Sequence, residues 1–148
     1  MWGELQASAF EKIGNSLTGA NIHWLVMRNY DGLPEVNRSK DLDIGIAHKN
    51  FQRAYNLISD VLKSLGFSRV FKLTYQYVIC ATFFYVSEKS VESIKVDLID
   101  GFVWRGAQVV SFEEIYTRRQ LYKDFFVPSK LDDGFMLLIK PLMTGGFI

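Results

Sequence analysis

The stretch Arg38-Ser39-Lys40-Asp41-Leu42-Asp43-Ile44-Gly45-Ile46 sets two carboxylates one residue apart at the mouth of an apolar run. Leu42, Ile44 and Ile46 alternate with Asp41, Asp43 and Gly45, the period-two pattern of a strand with one buried face. Residues i and i+2 of a strand share a face, with α-carbons about 6.6–6.8 Å apart. Asp41 and Asp43 therefore stand side by side. The next residues on their face, Gly45 and Ala47, are small enough to leave room for a ligand. One side of this strand suits a core, and the other is acidic and open.

Working outward, Trp2, Leu5, Ala9, Ile13 and Leu17 recur at helical spacing and predict an amphipathic helix closed by Gly19. Ile22 to Met27 reads as a short buried strand, antiparallel to the acidic one, running into the turn-rich Asn29-Tyr30-Asp31-Gly32-Leu33-Pro34. Downstream, Phe51, Ala54, Tyr55, Ile58, Val61, Leu62 and Leu65 form a continuous helical stripe, with Gly66 just past its end. Three runs rich in β-branched and aromatic residues follow, Phe67 to Leu73, Tyr77 to Val86 and Ile94 to Ile99, and predict a meander. Ser111-Phe112-Glu113-Glu114 has the form of a capping box, and Ser129 caps a further helix over Leu131 to Lys140. The expected fold is α+β: a mixed sheet of about five strands with helices packed mainly on one face, in a single domain over 1–148.

The bulk composition agrees with one domain. The chain has 148 residues, 49% of them hydrophobic, enough to bury a core. Seventeen basic residues against sixteen acidic ones leave a net charge of +1, which argues against nucleic acid as a partner and makes any electrostatic function local. A single cysteine, Cys80, excludes a disulfide framework. No apolar run approaches the roughly 20 residues a bilayer requires, and the start carries Glu4 and Glu11, so a cytoplasmic protein is expected. His23 and His48 lack further ligands at metal-binding spacing, which argues against zinc.

A third acid lies in Ile94-Lys95-Val96-Asp97-Leu98-Ile99, where Lys95, Asp97 and Ile99 take the face opposite Ile94, Val96 and Leu98. If the two strands are neighbours, Asp97 joins Asp41 and Asp43. Two carboxylates about 5 Å apart repel by roughly 3 kcal/mol at an effective dielectric of 20, so such a cluster calls for a cation. Oxygen donors without histidine or thiolate suit Mg²⁺ or Mn²⁺, which points to phosphoryl chemistry. Lys40 and Arg28 are then candidates to neutralise phosphate oxygens. Taken alone, an Asp-x-Asp at a strand start is more often a solvated edge or a turn-forming pair than a catalytic one.

Three segments together resemble the nucleotidyltransferase fold, polymerase-β-like, and among its members the bacterial nucleotidyltransferase-like proteins of polysaccharide-biosynthesis type. They are Val26-Met27-Arg28-Asn29-Tyr30-Asp31-Gly32-Leu33-Pro34, Ser39-Lys40-Asp41-Leu42-Asp43-Ile44, and Lys95-Val96-Asp97-Leu98 followed by Trp104-Arg105-Gly106. The resemblance implies Mg²⁺-dependent transfer of a nucleotide monophosphate from a nucleoside triphosphate to a hydroxyl acceptor, with Asp41, Asp43 and Asp97 as metal ligands and catalytic acids. Two departures stand out. The Gly-Ser that usually cradles phosphate ahead of the acidic pair is replaced by the Asn29 to Gly32 turn, and Lys40 stands where a small residue is common. Similar proteins also run on past the equivalent of Thr144-Gly145-Gly146-Phe147-Ile148, so a C-terminally short form is expected.

Trp104 and Arg105, on an expected loop after the third acid, are candidate substrate contacts beside Arg28, Asn29 and Lys40. Phe135 to Ile139 and Phe147-Ile148 supply apolar surface that either packs back on the same domain, the more common outcome, or forms a homodimer contact. An enzyme of this kind competes with a catalytically inactive binding or regulatory module, monomeric or dimeric, on the same fold; a two-metal nuclease would want a basic groove.

Overall fold

The structure, a computed structural model, describes residues 2–39 and 41–143. Lys40 and the terminal Phe147-Ile148, both singled out in the sequence, lie outside the described residues. The first helix, α1 (Glu4–Gly19), buries Ala9, Phe10, Ile13 and Leu17 along one stripe. A two-residue strand β1 (Leu25–Val26) then pairs antiparallel with β2 (Asp41–Gly45). A 3-10 turn over His48–Asn50 leads into α2 (Phe51–Ser64), whose buried residues Phe51, Ala54, Tyr55, Ile58 and Leu62 are those of the predicted stripe. Gly66 follows it with φ of +90°, as a helix-terminating glycine requires.

The predicted meander is present as β3 (Ser68–Thr74), β4 (Val78–Val86) and β5 (Val91–Ile99). Its last strand returns beside β2 in parallel, giving the sheet order β1-β2-β5-β4-β3. The sheet is mixed and five-stranded, as expected. Leu42 and Ile44 of β2, Ile94, Val96 and Leu98 of β5, and Ile79, Ala81 and Phe83 of β4 form one apolar face in a common core with α1 and α2. Among the described residues no helix is long and apolar enough to cross a membrane.

Beyond β5 the chain departs from the sequence reading. Trp104 and Arg105 were expected on a loop; Trp104 instead ends β6 (Phe102–Trp104), which pairs with β7 (Ala107–Val110), and Arg105-Gly106 form the hairpin tip with φ of +47° and +83°. A second hairpin, β8 (Gln120–Tyr122) with β9 (Phe125–Val127), was not anticipated. Strands of three or four residues are too short to establish a period. The expected strand over Ile22 to Met27 is also shorter, because only Leu25 and Val26 find ladder partners.

Ser111 and Ser129 both cap as predicted. Ser111 Oγ accepts from Glu114 N at the start of α3 (Phe112–Thr117), and Ser129 Oγ accepts from Asp132 N at the start of α4 (Lys130–Met143). Leu131, Leu137 and Leu138 on α4 are exposed, while Phe135 meets the ring of Phe102 edge-on. Asp132, only 7% exposed, is forked by Arg118 at 2.7 and 3.2 Å. Burial pushes its carboxyl up, but Arg118 and Ser129 outweigh that and hold it below the ordinary 3.8.

Asp132 therefore contributes stability that is complete above pH 3.8 and is lost as pH falls through its lower folded value. Asp132→Asn is expected to lose about 1–3 kcal/mol at pH 7, with the deficit from wild type shrinking in acid; urea unfolding across pH 2.5–7 checks this, and a pH-independent deficit counts against it. Gly101, at φ of +82°, has no space for a side chain: an added Cβ would overlap the Val110 carbonyl oxygen and come within 2.6 Å of Phe112 N. Gly101→Ala is expected to cost about 3 kcal/mol or more by the same measurement, through strain at a positive φ together with backbone overlap.

Candidate active site

The parallel register of β2 and β5 sets Asp41 against Lys95 and Asp43 against Asp97. All four side chains are on the sheet face opposite the α1/α2 core, because Leu42, Val96 and Leu98 take the other face. The expected convergence of the three acids is thus produced by strand pairing. Asp43 is 1% exposed and Asp97 6% exposed, while Asp41, at the strand mouth, is half-buried. Asn37 steadies that mouth: its side-chain amide donates to the Asp41 carbonyl at 2.9 Å and its oxygen accepts from Ser39 N at 3.0 Å.

Two cations answer the acids. Arg28 donates from Nε and Nη2 to the two oxygens of Asp43, at 2.8 and 3.2 Å. The hydrogen bond to Asp43 holds the guanidinium more firmly protonated, against the effect of burial. Lys95 Nζ bridges Asp41 Oδ2 at 3.2 Å and Asp97 Oδ2 at 3.1 Å. Burial pulls the ammonium down, but Asp97 and Asp41 together raise it. Asp97 Oδ1 is buried and has no hydrogen-bond partner among the described residues. Burial pushes the Asp97 carboxyl above its ordinary range, with Cys80 and Lys95 acting in the opposite sense. Cys80, the β4 partner of Asp97, has its thiol pushed up to about 11 by burial and by that carboxylate.

Gly45 does not leave room for a ligand as expected. A Cβ there would meet Met27 Sδ at 2.8 Å and Leu25 Cδ1 at 3.1 Å, and Ala47 packs with these residues, Phe112 and Ile115 in a second apolar cluster. The small residues admit protein side chains and close that end of the acidic face. The open space lies elsewhere, in a cavity of about 550 Å³ bordered by Arg28, Asn29 and Asp97 with walls from Ile99, Phe102 and Met136. Asn29 turns toward it through a left-handed φ of +58°.

Tyr30 and Asp133 also line this cavity, and the Tyr30 hydroxyl donates to Asp133 Oδ2 at 2.5 Å, tying the loop after β1 to the first turn of α4. Burial first, then that bond, raises the phenol well above its ordinary value. Trp104 and Arg105 are not among the lining residues; Arg105 stacks over Trp104 at 5.8 Å on the hairpin tip, and Phe102 and Val103 provide the wall. Sequence reasoning missed Lys95, Tyr30, Cys80 and Asp133. Lys95 had a visible signal, its phase with Asp97 on the strand.

The donor set fits a hard divalent cation: three carboxylates, one of them with an orphaned buried oxygen, and no imidazole. As they stand, no three His, Cys, Asp or Glu side chains among the described residues are grouped so as to hold a metal ion, and Arg28 and Lys95 lie against the oxygens of the three acids. Arg28→Ala removes both hydrogen bonds from a carboxylate that is 1% exposed. The loss is expected to be about 2 kcal/mol, below the figure for a fully buried pair because the Arg28 side chain is half exposed. Urea unfolding of Arg28→Ala, Asp43→Ala and the double variant measures it; simple additivity of the two single losses would show that the pair is not coupled.

No protein-family model matches the sequence, and no curated protein matches it. Solved structures do match in fold. TM1012 of Thermotoga maritima, described as a candidate nucleotidyltransferase, superposes with a TM-score of 0.53 at 12% identity, over 94% of this chain and 87% of that one. JHP933 of Helicobacter pylori superposes with a TM-score of 0.51 at 14% identity, over 84% of this chain; the match spans 51% of the length of JHP933. The four helices and mixed five-stranded sheet of the described residues share the fold of these structures.

Proposed function

We propose that the chain transfers a nucleotide monophosphate from a nucleoside triphosphate to a hydroxyl on a small molecule, sugar or protein, using Asp41, Asp43 and Asp97 with Mg²⁺ or Mn²⁺. One observation carries the reading: acids from two parallel strands share one face, and one of them, Asp97, borders a cavity of about 550 Å³ with its Oδ1 buried and without a hydrogen-bond partner among the described residues. In the reaction, the acceptor oxygen forms a bond to the α-phosphorus, the bond to the pyrophosphate oxygen breaks, and the hydroxyl proton is released. On this reading Asp97 takes that proton, a role that its position beside the cavity and the rise in its proton affinity on burial support. Arg28 and Asn29 border the cavity and suit triphosphate oxygens, and its apolar wall of Ile99, Phe102 and Met136 suits a base. A divalent ion held by the three carboxylates would supply charge neutralisation of the phosphates and activation of the hydroxyl.

A second reading has its own support. The Arg28 fork fully engages Asp43 at the loop that takes the place of the usual Gly-Ser, which suits a binding module that has lost nucleotide transfer. Titration calorimetry with ATP, CTP, GTP and UTP in the presence of Mg²⁺ separates the two. At least one nucleotide is expected to bind the wild type, and Asp43→Ala is expected to bind it at least about tenfold more weakly, a loss of roughly 1.4 kcal/mol. If no nucleotide binds with metal present, the enzyme reading fails and the binding module stands.

A further inference from the structure

Lys95 and a divalent cation would compete for the same oxygens. The ammonium bridges Asp41 and Asp97, the two carboxylates that the Arg28 fork does not hold. The β2–β5 register puts it between them, so its position follows from the same pairing that gathers the acids. Among the described residues, all but one of the oxygens on Asp43 and Asp97 have a cation against them. The exception, Asp97 Oδ1, belongs to a side chain only 9% exposed. The backbones carrying the acids are locked in the sheet ladder, whereas Lys95 is 39% exposed on a flexible four-carbon stem. The lysine can leave; the acids cannot.

The chemistry of the two cations differs in a useful way. An ammonium is a single charge about 3 Å from its acceptors, and it satisfies like-charged oxygens without drawing them into a shell. A Mg²⁺-type ion carries twice the charge and binds oxygens at about 2.0–2.1 Å. A lysine between carboxylates therefore keeps them convergent, and yields when a stronger charge arrives with a new partner for the ammonium.

We infer that Lys95 is a placeholder for the divalent cation: it holds Asp41 and Asp97 together while the metal is absent and is displaced when metal binds. The inference rests on the metal-dependent reading of this site. Its consequence is coupling. Metal alone must displace an internal competitor and binds weakly, while metal arriving with a triphosphate offers the released ammonium phosphate oxygens, so the two ligands bind better together than apart. Lys95 acts as a positioning residue for both.

The test uses the full chain with Mn²⁺ alone as probe, followed by the electron paramagnetic resonance signal of free Mn²⁺, for wild type, Lys95→Met, Lys95→Arg and Asp97→Asn. Lys95→Met is expected to bind Mn²⁺ at least about tenfold more tightly than wild type, Lys95→Arg no more tightly, and Asp97→Asn more weakly. Loss of a nearby positive charge favours Mn²⁺ even where the lysine stays in place, so displacement itself is read by labelling. A second measurement needs no variant: acetic anhydride labelling of the wild type, read by peptide mass spectrometry, is expected to rise several-fold at Lys95 on adding Mn²⁺ while the exposed Lys12 stays constant. Wild-type Mn²⁺ binding that Lys95→Met does not tighten, or Lys95 labelling that Mn²⁺ leaves unchanged or lowers, overturns the placeholder role alone. Absence of Mn²⁺ binding in every variant, with and without ATP, removes the metal-dependent reading and this inference with it.

Discussion

The parallel ladder between β2 and β5 is the constraint on which the rest depends. It sets Asp43 directly beside Asp97 and Asp41 beside Lys95, and so brings groups far apart in sequence onto one face. Backbone hydrogen bonds of the ladder and the apolar packing of Leu42, Ile44, Val96 and Leu98 beneath it supply the stabilisation. The acids on the other face oppose it. Two carboxylates in close cross-strand register are unfavourable by a few kcal/mol unless compensated. The structure compensates them locally, with Arg28 on one flank and Lys95 in the middle.

The surroundings of the acids are built to different ends on different sides. Toward β1, Leu25 and Met27 fill the space above Gly45 and seal the sheet against α3. Toward α4 the face opens into the cavity, whose far wall is held by the bond between Tyr30 and Asp133 and whose near wall is the β6–β7 hairpin beginning at Gly101. Asp100 joins these parts: one of its carboxylate oxygens accepts from His48 N ahead of α2 and the other from Phe112 N at the start of α3. The acid cluster is thus the meeting point of a rigid sheet and a set of loops anchored by individual polar contacts. A rigid side that fixes charges and a looser side that shapes a cavity is a workable division for binding a charged ligand.

Much of this was legible in the sequence where a period repeated. The alternation in 41–45 and in 94–99 was long enough to assign faces, and the stripe from Phe51 to Leu65 gave α2 with its glycine stop. The capping serines at 111 and 129 were readable because a cap depends on residues only three apart. Legibility ended at the short hairpins and at Trp104 and Arg105, where proximity to the third acid in sequence suggested a ligand contact that the cavity lining does not include. It also ended at Gly45: smallness shows that something approaches closely, without showing whether that is a ligand or Met27.

What the amino-acid sequence determined by itself is the local part: which segments are helix or strand, which residues share a face, and that Asp41, Asp43 and Asp97 are each opposite an apolar face. These follow from backbone periodicity and side-chain polarity, which act over a few residues. What only the tertiary structure decided is how the acids are answered. The pairing of Lys95 with two carboxylates, the fork of Arg28 on Asp43, the orphaned oxygen of Asp97 and the tie between Tyr30 and Asp133 link residues 2 to 103 positions apart. Electrostatic energies fall off with distance in space and are indifferent to distance along the chain, so they become definite only when the β2–β5 register and the position of α4 are set.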